Sequence, residues 1–264
     1  MAPAVLRSIP VLLFILLGSS GAWAQFEPTV GKEDAGTIGA VAFSTPRYMG
    51  ADESRTRTWP LVGYQWANGW FAGITGIGHA WSNGAPGQEH GQVWGLRLTA
   101  APERKESDDA ALKGLGDVDM QPEFGGFFMQ KLGAGFSLQS ALRYGAGNDH
   151  DGTLAELGLG WGTRIAGGTF VRLGVNADWA DRNYMQTYFG VTPEQSTRSG
   201  YAEYDANAGL RDTRASLMLM QMFSRTTMGI VMVGQTRLQG DAASSPFVRD
   251  TTNTMAVAAM LYRF

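Results

Sequence analysis

Apolar and polar residues alternate in several long segments of the chain. In residues 169–179, the odd positions from Val171 to Trp179 are apolar, and polar residues or glycine occupy the even positions between them. The segments 91–101, 135–145 and 153–165 follow the same pattern with few exceptions. Because successive side chains of a β-strand point to opposite faces, each segment predicts a strand with one apolar face and one polar or small face.

The length of these segments favours a membrane barrel over a soluble antiparallel sandwich, which could also show this alternation. Sandwich strands usually have five or six residues, whereas a tilted strand that crosses a bilayer needs about ten. Aromatic residues stand near the predicted strand ends, as interfacial girdles require: Trp59, Trp66, Trp81, Tyr144, Trp161, Trp179 and Tyr262. Since lipid cannot satisfy backbone N–H and C=O groups, the sheet must close on itself. The pattern therefore predicts an all-β fold, a transmembrane antiparallel up-and-down β-barrel.

The pattern is best divided into twelve strands, an even number as expected for a bacterial barrel. The predicted strands are 36–45, 57–67, 70–81, 91–101, 119–131, 135–145, 153–165, 169–179, 201–210, 214–224, 226–238 and 253–264. Short turns should be periplasmic and long loops external, but twelve strands put the long segment 180–200 on the periplasmic side. Merging 201–224 into one strand removes that conflict. A second pair within 57–101 must then also be miscounted, so ten strands are the alternative.

Both ends of the chain indicate export to the outer membrane. Residues 1–24 have a positive charge, a short apolar run and the A-x-A sequence of residues 22–24, which together predict a secretory signal peptide. The chain ends in Tyr262 and Phe264 at alternating positions, which resembles the signal that such proteins show to the barrel assembly machinery. We therefore expect residues 25–264 to form a barrel in the cell outer membrane, in contact with its lipid and lipopolysaccharide.

Composition narrows the function classes. The 264 residues include no cysteine, which excludes a disulfide scaffold and a thiolate metal site. The formal net charge of −3 gives no indication of a nucleic-acid partner. An Arg or Lys at the lipid-facing midplane costs about 2–4 kcal/mol, so the polar face of each strand should line the lumen. The charged residues predicted to face the lumen are Arg97, Arg143, Glu156, Arg164, Arg172 and Asp178.

Candidate catalytic and metal-binding residues are few. The three histidines, His79, His90 and His150, show no metal-ligand spacing, and we expect neither a metal nor a cofactor. Asp149, His150 and Asp151 form the one close acid–histidine cluster, which a polar hairpin loop explains better than an enzyme at the barrel rim. The sequence thus predicts a protein that is not an enzyme, with a rim enzyme as the alternative.

Four loop segments, together with the Tyr-Arg-Phe end, resemble the MipA/OmpV family of outer-membrane proteins. They are 46–52 (Pro-Arg-Tyr-Met-Gly-Ala-Asp), 112–118, 188–200 (beginning Tyr-Phe-Gly-Val-Thr) and 240–248 (beginning Gly-Asp-Ala-Ala). One departure is Ala51, which stands where serine is commoner in the family. The loop residues that carry the resemblance are Pro46, Tyr48, Gly50, Asp52, Tyr188, Phe189, Gly190, Gly240, Asp241 and Pro246.

The resemblance implies a scaffold without catalytic residues. The founding member of the family links a lytic murein transglycosylase with a bifunctional murein synthase, which makes those two enzymes the candidate partners. Other members of the family are described as adhesins, and a small diffusion channel is the further alternative. Mixed charge inside so narrow a barrel favours an ion-pair plug over a wide pore.

Overall fold

The computed structural model describes residues 33–83, 90–145 and 151–264. This part of the chain forms twelve antiparallel strands in one closed barrel, in which neighbours in sequence pair and the first strand pairs with the last. The strands are β1 (Ala35–Pro46), β2 (Ser54–Gln65), β3 (Trp70–Gly73), β4 (Gly76–Ser82), β5 (His90–Ala100), β6 (Pro122–Gly133), β7 (Phe136–Gly145), β8 (Thr153–Arg164), β9 (Thr169–Ala180), β10 (Gly209–Met222), β11 (Thr227–Leu238) and β12 (Thr252–Arg263). The predicted twelve-stranded up-and-down barrel is confirmed. The predicted signal peptide, residues 1–24, lies outside the described residues.

Side chains alternate between an outer wall and an interior face. On β9, Leu173 and Val175 are 47% and 54% exposed on the outer wall, whereas Asp178 on the opposite face is buried. Large aromatic side chains are also exposed on this wall: Trp66, Trp70, Trp81, Phe136, Tyr144, Trp179 and Tyr262. An outward apolar band flanked by aromatic residues is the surface that an outer-membrane barrel presents to lipid.

The connections between strands are long at one end of the barrel and short at the other. The long ones are 47–53, 101–121, 181–208 and 239–251, and short ones are 134–135, 165–168 and 223–226. Because bacterial barrels place their short turns in the periplasm, the long connections lie at the external end.

Two of the predicted strands are wrong in detail. The predicted strand 70–81 is divided by a turn into β3 and β4, and most of 201–210 belongs to the connection before β10. The two errors cancel in the strand count, and 180–200 therefore lies at the external end, as its length requires. Gly76, with a φ of 112°, allows the tight turn between β3 and β4. A period-two pattern does not reveal such a turn.

Strand β2 is paired along its whole length with β1 but only briefly with β3. The pairs with β3 are Tyr64 with Ala72 and Gln65 with Phe71. Pro60, which lacks a backbone donor, falls in the stretch that β3 does not reach, consistent with the restriction of proline to sheet edges. This is the least completely paired part of the wall among the described strands.

Part of the interior is apolar, contrary to the expectation of a polar lumen. Inward-facing side chains of β1, β2 and β10–β12 pack into one buried cluster: Val41, Phe43, Leu61, Met218, Ile230, Met232, Met255 and Val257. Trp59 packs against this cluster, so its predicted place in the aromatic girdle is wrong. The segment 216–222 (Ser-Leu-Met-Leu-Met-Gln-Met) is apolar on both faces, and alternation therefore does not separate its inside from its outside.

Candidate functional site

The external connections contain three helices, α1 (Arg182–Phe189), α2 (Pro193–Ser199) and α3 (Gly240–Ala243). The Asp181 carboxylate accepts a hydrogen bond from the Tyr184 N–H and begins α1. Thr192 and Gln195 form a capping box at α2, and Gly200 ends that helix with a φ of 81°. None of the helices among the described residues has the length and hydropathy to cross a membrane.

The four long connections pack together into a folded unit, the external cap, over the mouth of the barrel. One buried cluster joins α1 and α3 to the strand ends: Val118, Leu154, Ala180, Tyr184, Met185, Tyr188, Phe189, Ala206, Leu238 and Ala242. A second joins the segments 47–53, 101–121, 181–208 and 239–251: Tyr48, Ala51, Ala111, Leu112, Leu115, Val191 and Phe247. Loops with their own buried cores are held in place rather than left free, so the described part of the cap is a fixed structure at this end of the barrel.

Buried hydroxyl groups connect the segments of the cap. The Tyr48 hydroxyl donates to the Phe247 carbonyl at 2.8 Å, and the Tyr188 hydroxyl donates to the Pro102 carbonyl at 2.9 Å. The Ser245 hydroxyl donates to the Phe189 carbonyl at 2.6 Å. Burial raises the pKa of both tyrosines above the ordinary phenol value, so both are neutral donors at physiological pH.

Arg104 is a buried cation at the centre of the cap. Its Nη1 donates to the Tyr188 carbonyl at 3.0 Å, and its guanidinium lies 5.3 Å from the centre of the Phe247 ring. Burial lowers the pKa of Arg104 to about 10, so it is still charged at neutral pH. The side chain joins two of the family loop segments, 188–200 and 240–248.

Beneath the cap, two arginines and two aspartates form a buried network. Arg211 donates to Asp178 at 2.7 Å and to Asp212 at 2.6 Å, and Arg214 contacts the same two carboxylates at 3.2 and 3.1 Å. Arg211 also donates to the Tyr184 hydroxyl at 2.7 Å, which ties α1 to the barrel wall. The β-bulge between Leu210 and Asp212 turns the neighbouring residues Arg211 and Asp212 into the interior together.

A second buried cluster lies on the adjacent strands. Arg143 on β7 donates to Glu123 on β6 at 2.6 Å and also forms an ion pair with Glu156 on β8. All three side chains are buried. Four inward acids, Glu123, Glu156, Asp178 and Asp212, are thus paired with arginines at the external end of the strands, beneath the cap.

Of the other predicted lumen residues, Arg97 lies level with Arg143, and Arg164 and Arg172 lie farther down the barrel. Arg97 is buried, with its guanidinium 5.3 Å from the centre of the Phe127 ring. Arg172 extends across Gly160 toward the Ser137 hydroxyl at 3.5 Å, and a Cβ at position 160 would lie 2.9 Å from the guanidinium. Arg164 is exposed at the last position of β8. The structure thus brings Arg143 and Glu156 together, and Arg97 lies in the same row of paired residues as Arg143, with Gly125 between them. Arg164 and Arg172 lie toward the periplasmic ends of β8 and β9.

The family loop residues lie in or beside the cap. Gly50, with a φ of 97°, donates its N–H to the Asn253 side chain at 3.0 Å, and Asp52 lies 4.0 Å from Arg249. Gly190 ends α1, and Asp241 accepts two hydrogen bonds from Asn207. Pro46 ends β1, Gly240 begins α3, and Pro246 is half-buried beside Phe247. Tyr48, Tyr188 and Phe189 belong to the buried clusters described above.

The predicted assembly signal lies at the closure of the barrel. Tyr262 and Phe264 are exposed, and the backbone of Phe264 exchanges two hydrogen bonds with Gly36 at 2.9 and 3.0 Å. Of the acid–histidine cluster, Asp149 and His150 lie outside the described residues, so the predicted polar loop and the alternative rim enzyme both stay predictions.

Sequence reasoning missed Arg104, Arg211, Asp212 and Arg214. Arg104 lies in a segment that contains both positively and negatively charged residues, and such a segment predicts a solvated loop. Arg211 and Asp212 follow a predicted strand end at residue 210, and Arg214 begins the next predicted strand. A bulge leaves no trace in a single sequence beyond two adjacent charges. The pair Arg211-Asp212 next to Arg214 is the signal that could have indicated buried charge there.

This chain is similar to known proteins in sequence and in structure. The family model of MltA-interacting protein MipA matches residues 38–264. The MltA-interacting protein of Escherichia coli (strain K12) is 24% identical over 216 residues, which cover 78% of this chain and 80% of that protein. Among solved structures, an outer membrane channel of Pseudomonas putida F1 is 11% identical with a TM-score of 0.42, over 89% of this chain and 97% of that one. OprB of Pseudomonas putida is 13% identical with a TM-score of 0.38, over 79% of this chain and 59% of its own length.

Proposed function

Because the chain belongs to the MltA-interacting protein MipA family, we propose that it is a non-enzymatic scaffold of the outer membrane. In this proposal its periplasmic end binds a murein transglycosylase and holds it near a murein synthase. The curated relative in Escherichia coli is named for its interaction with MltA. The cap is a packed structural unit in which the family loop residues serve to hold segments together.

The packed external cap is the observation that carries the proposal. The described part of the cap contains two apolar clusters, and the ion pairs beneath it place paired charge in the lumen. A diffusion channel needs an open path, and in residues 33–83, 90–145 and 151–264 the packed cap and the paired charges lie at this end of the barrel. The surfaces left for a protein partner inside the envelope are the periplasmic turns and the barrel rim beside them.

Two periplasmic turns form one continuous surface that suits a partner. The Gln221 side chain donates to the Gly167 carbonyl at 2.8 Å, and the Met222 N–H donates to the Gly168 carbonyl at 3.1 Å. These bonds join the turn 165–168 to the turn 223–226. Ile165 and Phe223 belong to these two turns, and their side chains are 64% and 62% exposed. Large exposed apolar side chains on a rigid support are typical anchors of protein interfaces.

The test is retention of a purified MltA-class transglycosylase on the immobilised, detergent-solubilised barrel. We expect the unmodified barrel to retain the enzyme, and a double variant Ile165→Asn/Phe223→Asn to lose most of that retention. Arg198→Ala, on the exposed external helix α2, is the matched control and should retain the enzyme fully. Each variant is first checked for folding by its heat-modifiable migration on gels. Absence of retention by the unmodified barrel contradicts the scaffold, and loss of retention by Arg198→Ala contradicts the periplasmic surface.

A small channel is the alternative to the scaffold, and a conductance measurement distinguishes the two functions. We expect the reconstituted barrel to show no discrete conductance steps in a planar bilayer, because the cap and the buried ion pairs obstruct the lumen. Regular single-channel steps from the unmodified protein would favour the channel over a purely scaffolding role.

A further inference from the structure

One arginine occupies an unusual place on the outer wall. Among the described strands, Arg237 on β11 is the only Arg, Lys, Asp or Glu whose position faces outward, as its pairing with the outward residues Thr213 and Thr252 shows. It is exposed and stands one residue before the external end of β11. In the part of the chain that the structure describes, its guanidinium makes no ion pair and no hydrogen bond.

The position of Arg237 matches the boundary between hydrocarbon and headgroups. A lipid-facing arginine costs about 2–4 kcal/mol at the midplane of the membrane and about 0–1 kcal/mol near its interfaces. At the external boundary the charge is therefore tolerated, and it faces the outer leaflet. An outward cation without a protein partner is available to an anionic headgroup there.

A groove connects this arginine with the apolar wall. It has a volume of about 660 Å³ and crosses the outer surface from β7 to β12. Its apolar part is lined by Leu138, Leu157, Leu159 and Val175, and its polar part by Thr213, Gln235, Arg237 and Thr252. The small residues Ala177 and Ala215 lie between the two parts and leave the depression open.

The direction of the groove follows from the register. Ala177 pairs with Leu157 and with Thr213, and Thr213 pairs in turn with Arg237. This row of neighbours ends at Thr252, which begins β12 at the external rim. At the other end of the groove, Leu138 lies in the periplasmic half of β7. The groove therefore rises from the apolar wall to the external rim, with its polar residues at the top.

We infer that this groove binds a phosphorylated glycolipid of the outer leaflet, the lipid A part of lipopolysaccharide. An acyl chain lies along the leucines and the small residues, and a phosphate pairs with the Arg237 guanidinium. Guanidinium groups bind phosphate through two parallel charge-assisted hydrogen bonds. The Gln235 amide and the Thr213 and Thr252 hydroxyls add neutral hydrogen-bonding groups beside that charge. This inference goes beyond the scaffold proposal and does not depend on it.

The experiment measures lipid binding to the detergent-solubilised barrel by native mass spectrometry. The probes are phosphorylated lipid A, lipid A without phosphates, and inorganic phosphate as a competitor. We expect phosphorylated lipid A to bind at least about tenfold more tightly than the form without phosphates, because a hydrogen bond to a charged group contributes roughly this factor. Arg237→Gln should remove that preference, whereas Arg225→Gln, in an exposed periplasmic turn, should keep it.

A second variant tests the apolar part of the groove separately. Ala215→Phe fills the floor of the groove and keeps Arg237, and we expect it to weaken both lipid A forms by a similar factor. Equal binding of the two forms to the unmodified barrel overturns the inference, as does unchanged preference in Arg237→Gln. Displacement of the lipid by inorganic phosphate at low concentration would show a simple anion site instead. Heat-modifiable migration confirms that each variant is folded.

Discussion

Removal of the Arg211 guanidinium is the sharpest test of the buried network beneath the cap. Arg211 is 1% exposed and donates to Asp178, Asp212 and the Tyr184 hydroxyl. In Arg211→Met the apolar stem is kept, but Arg214 must then balance two buried carboxylates alone. Breaking a buried ion pair by removing one partner costs about 3–5 kcal/mol, because a charge is left without compensation.

Unfolding in urea, in lipid vesicles and followed by tryptophan fluorescence, measures this cost. We expect Arg211→Met to lower the unfolding midpoint with little change of slope, since the surface exposed on unfolding stays the same. Amide exchange should also increase in α1, because Tyr184 loses its hydrogen bond to the barrel wall.

A companion variant separates lost charge balance from lost packing. Arg211→Met combined with Asp178→Asn leaves one arginine facing one aspartate, Arg214 and Asp212. Residues in one ion-pair network couple by about 0.5–3 kcal/mol, so the double variant should be more stable than Arg211→Met alone. A loss below about 1 kcal/mol in Arg211→Met, or no recovery in the double variant, would refute the view that these charges are desolvated and mutually dependent.

Three further predictions concern the cap. Burial raises the pKa of Tyr48 and Tyr188 above the usual phenol value of 10.0. The neutral hydroxyls therefore stabilise the cap fully below that pH, and this stabilisation is lost as the pH rises beyond it. Tyrosinate absorbance and the urea unfolding midpoint should change together between neutral pH and about pH 11. Arg104→Met removes a cation that burial disfavours, and urea unfolding should show a stability within about 1 kcal/mol of the unmodified protein; a loss of 3 kcal/mol or more would contradict this. Phe247→Ala should destabilise the cap by about 3–5 kcal/mol and make segment 239–251 susceptible to limited proteolysis, whereas equal resistance to protease would contradict the packed cap.

The apolar outer wall could be predicted from the sequence because the face of each strand position depends only on its place along that strand. Each position of β8 and β9 faces either lipid or the interior, and lipid excludes charge, so alternation in the sequence reports the face directly. The placement of Arg143, Glu156 and Asp178 on the inner face follows from that rule. The same rule does not apply where both faces are apolar, as in β10, and there the inward cluster around Met218 was not foreseen.

The external cap was beyond sequence reasoning for a different reason. Its buried clusters join segments such as 47–53 and 239–251, about two hundred residues apart along the chain, and short irregular loops carry no period that reveals which neighbours they will have. The loop motifs indicated a family but not that Tyr48 donates to the Phe247 carbonyl. Arg104 similarly looked like one charge in a solvated run and lies buried against Phe247.

The amino-acid sequence by itself determined the closed sheet and its outward face, since lipid imposes on every membrane-crossing strand the same demand for paired backbone groups and apolar side chains. Only the tertiary structure decided what fills and covers the lumen. Ion pairs such as Arg211 with Asp178 depend on a bulge and on the meeting of distant strands. Those arrangements arise from three-dimensional packing, which no local pattern of residues encodes.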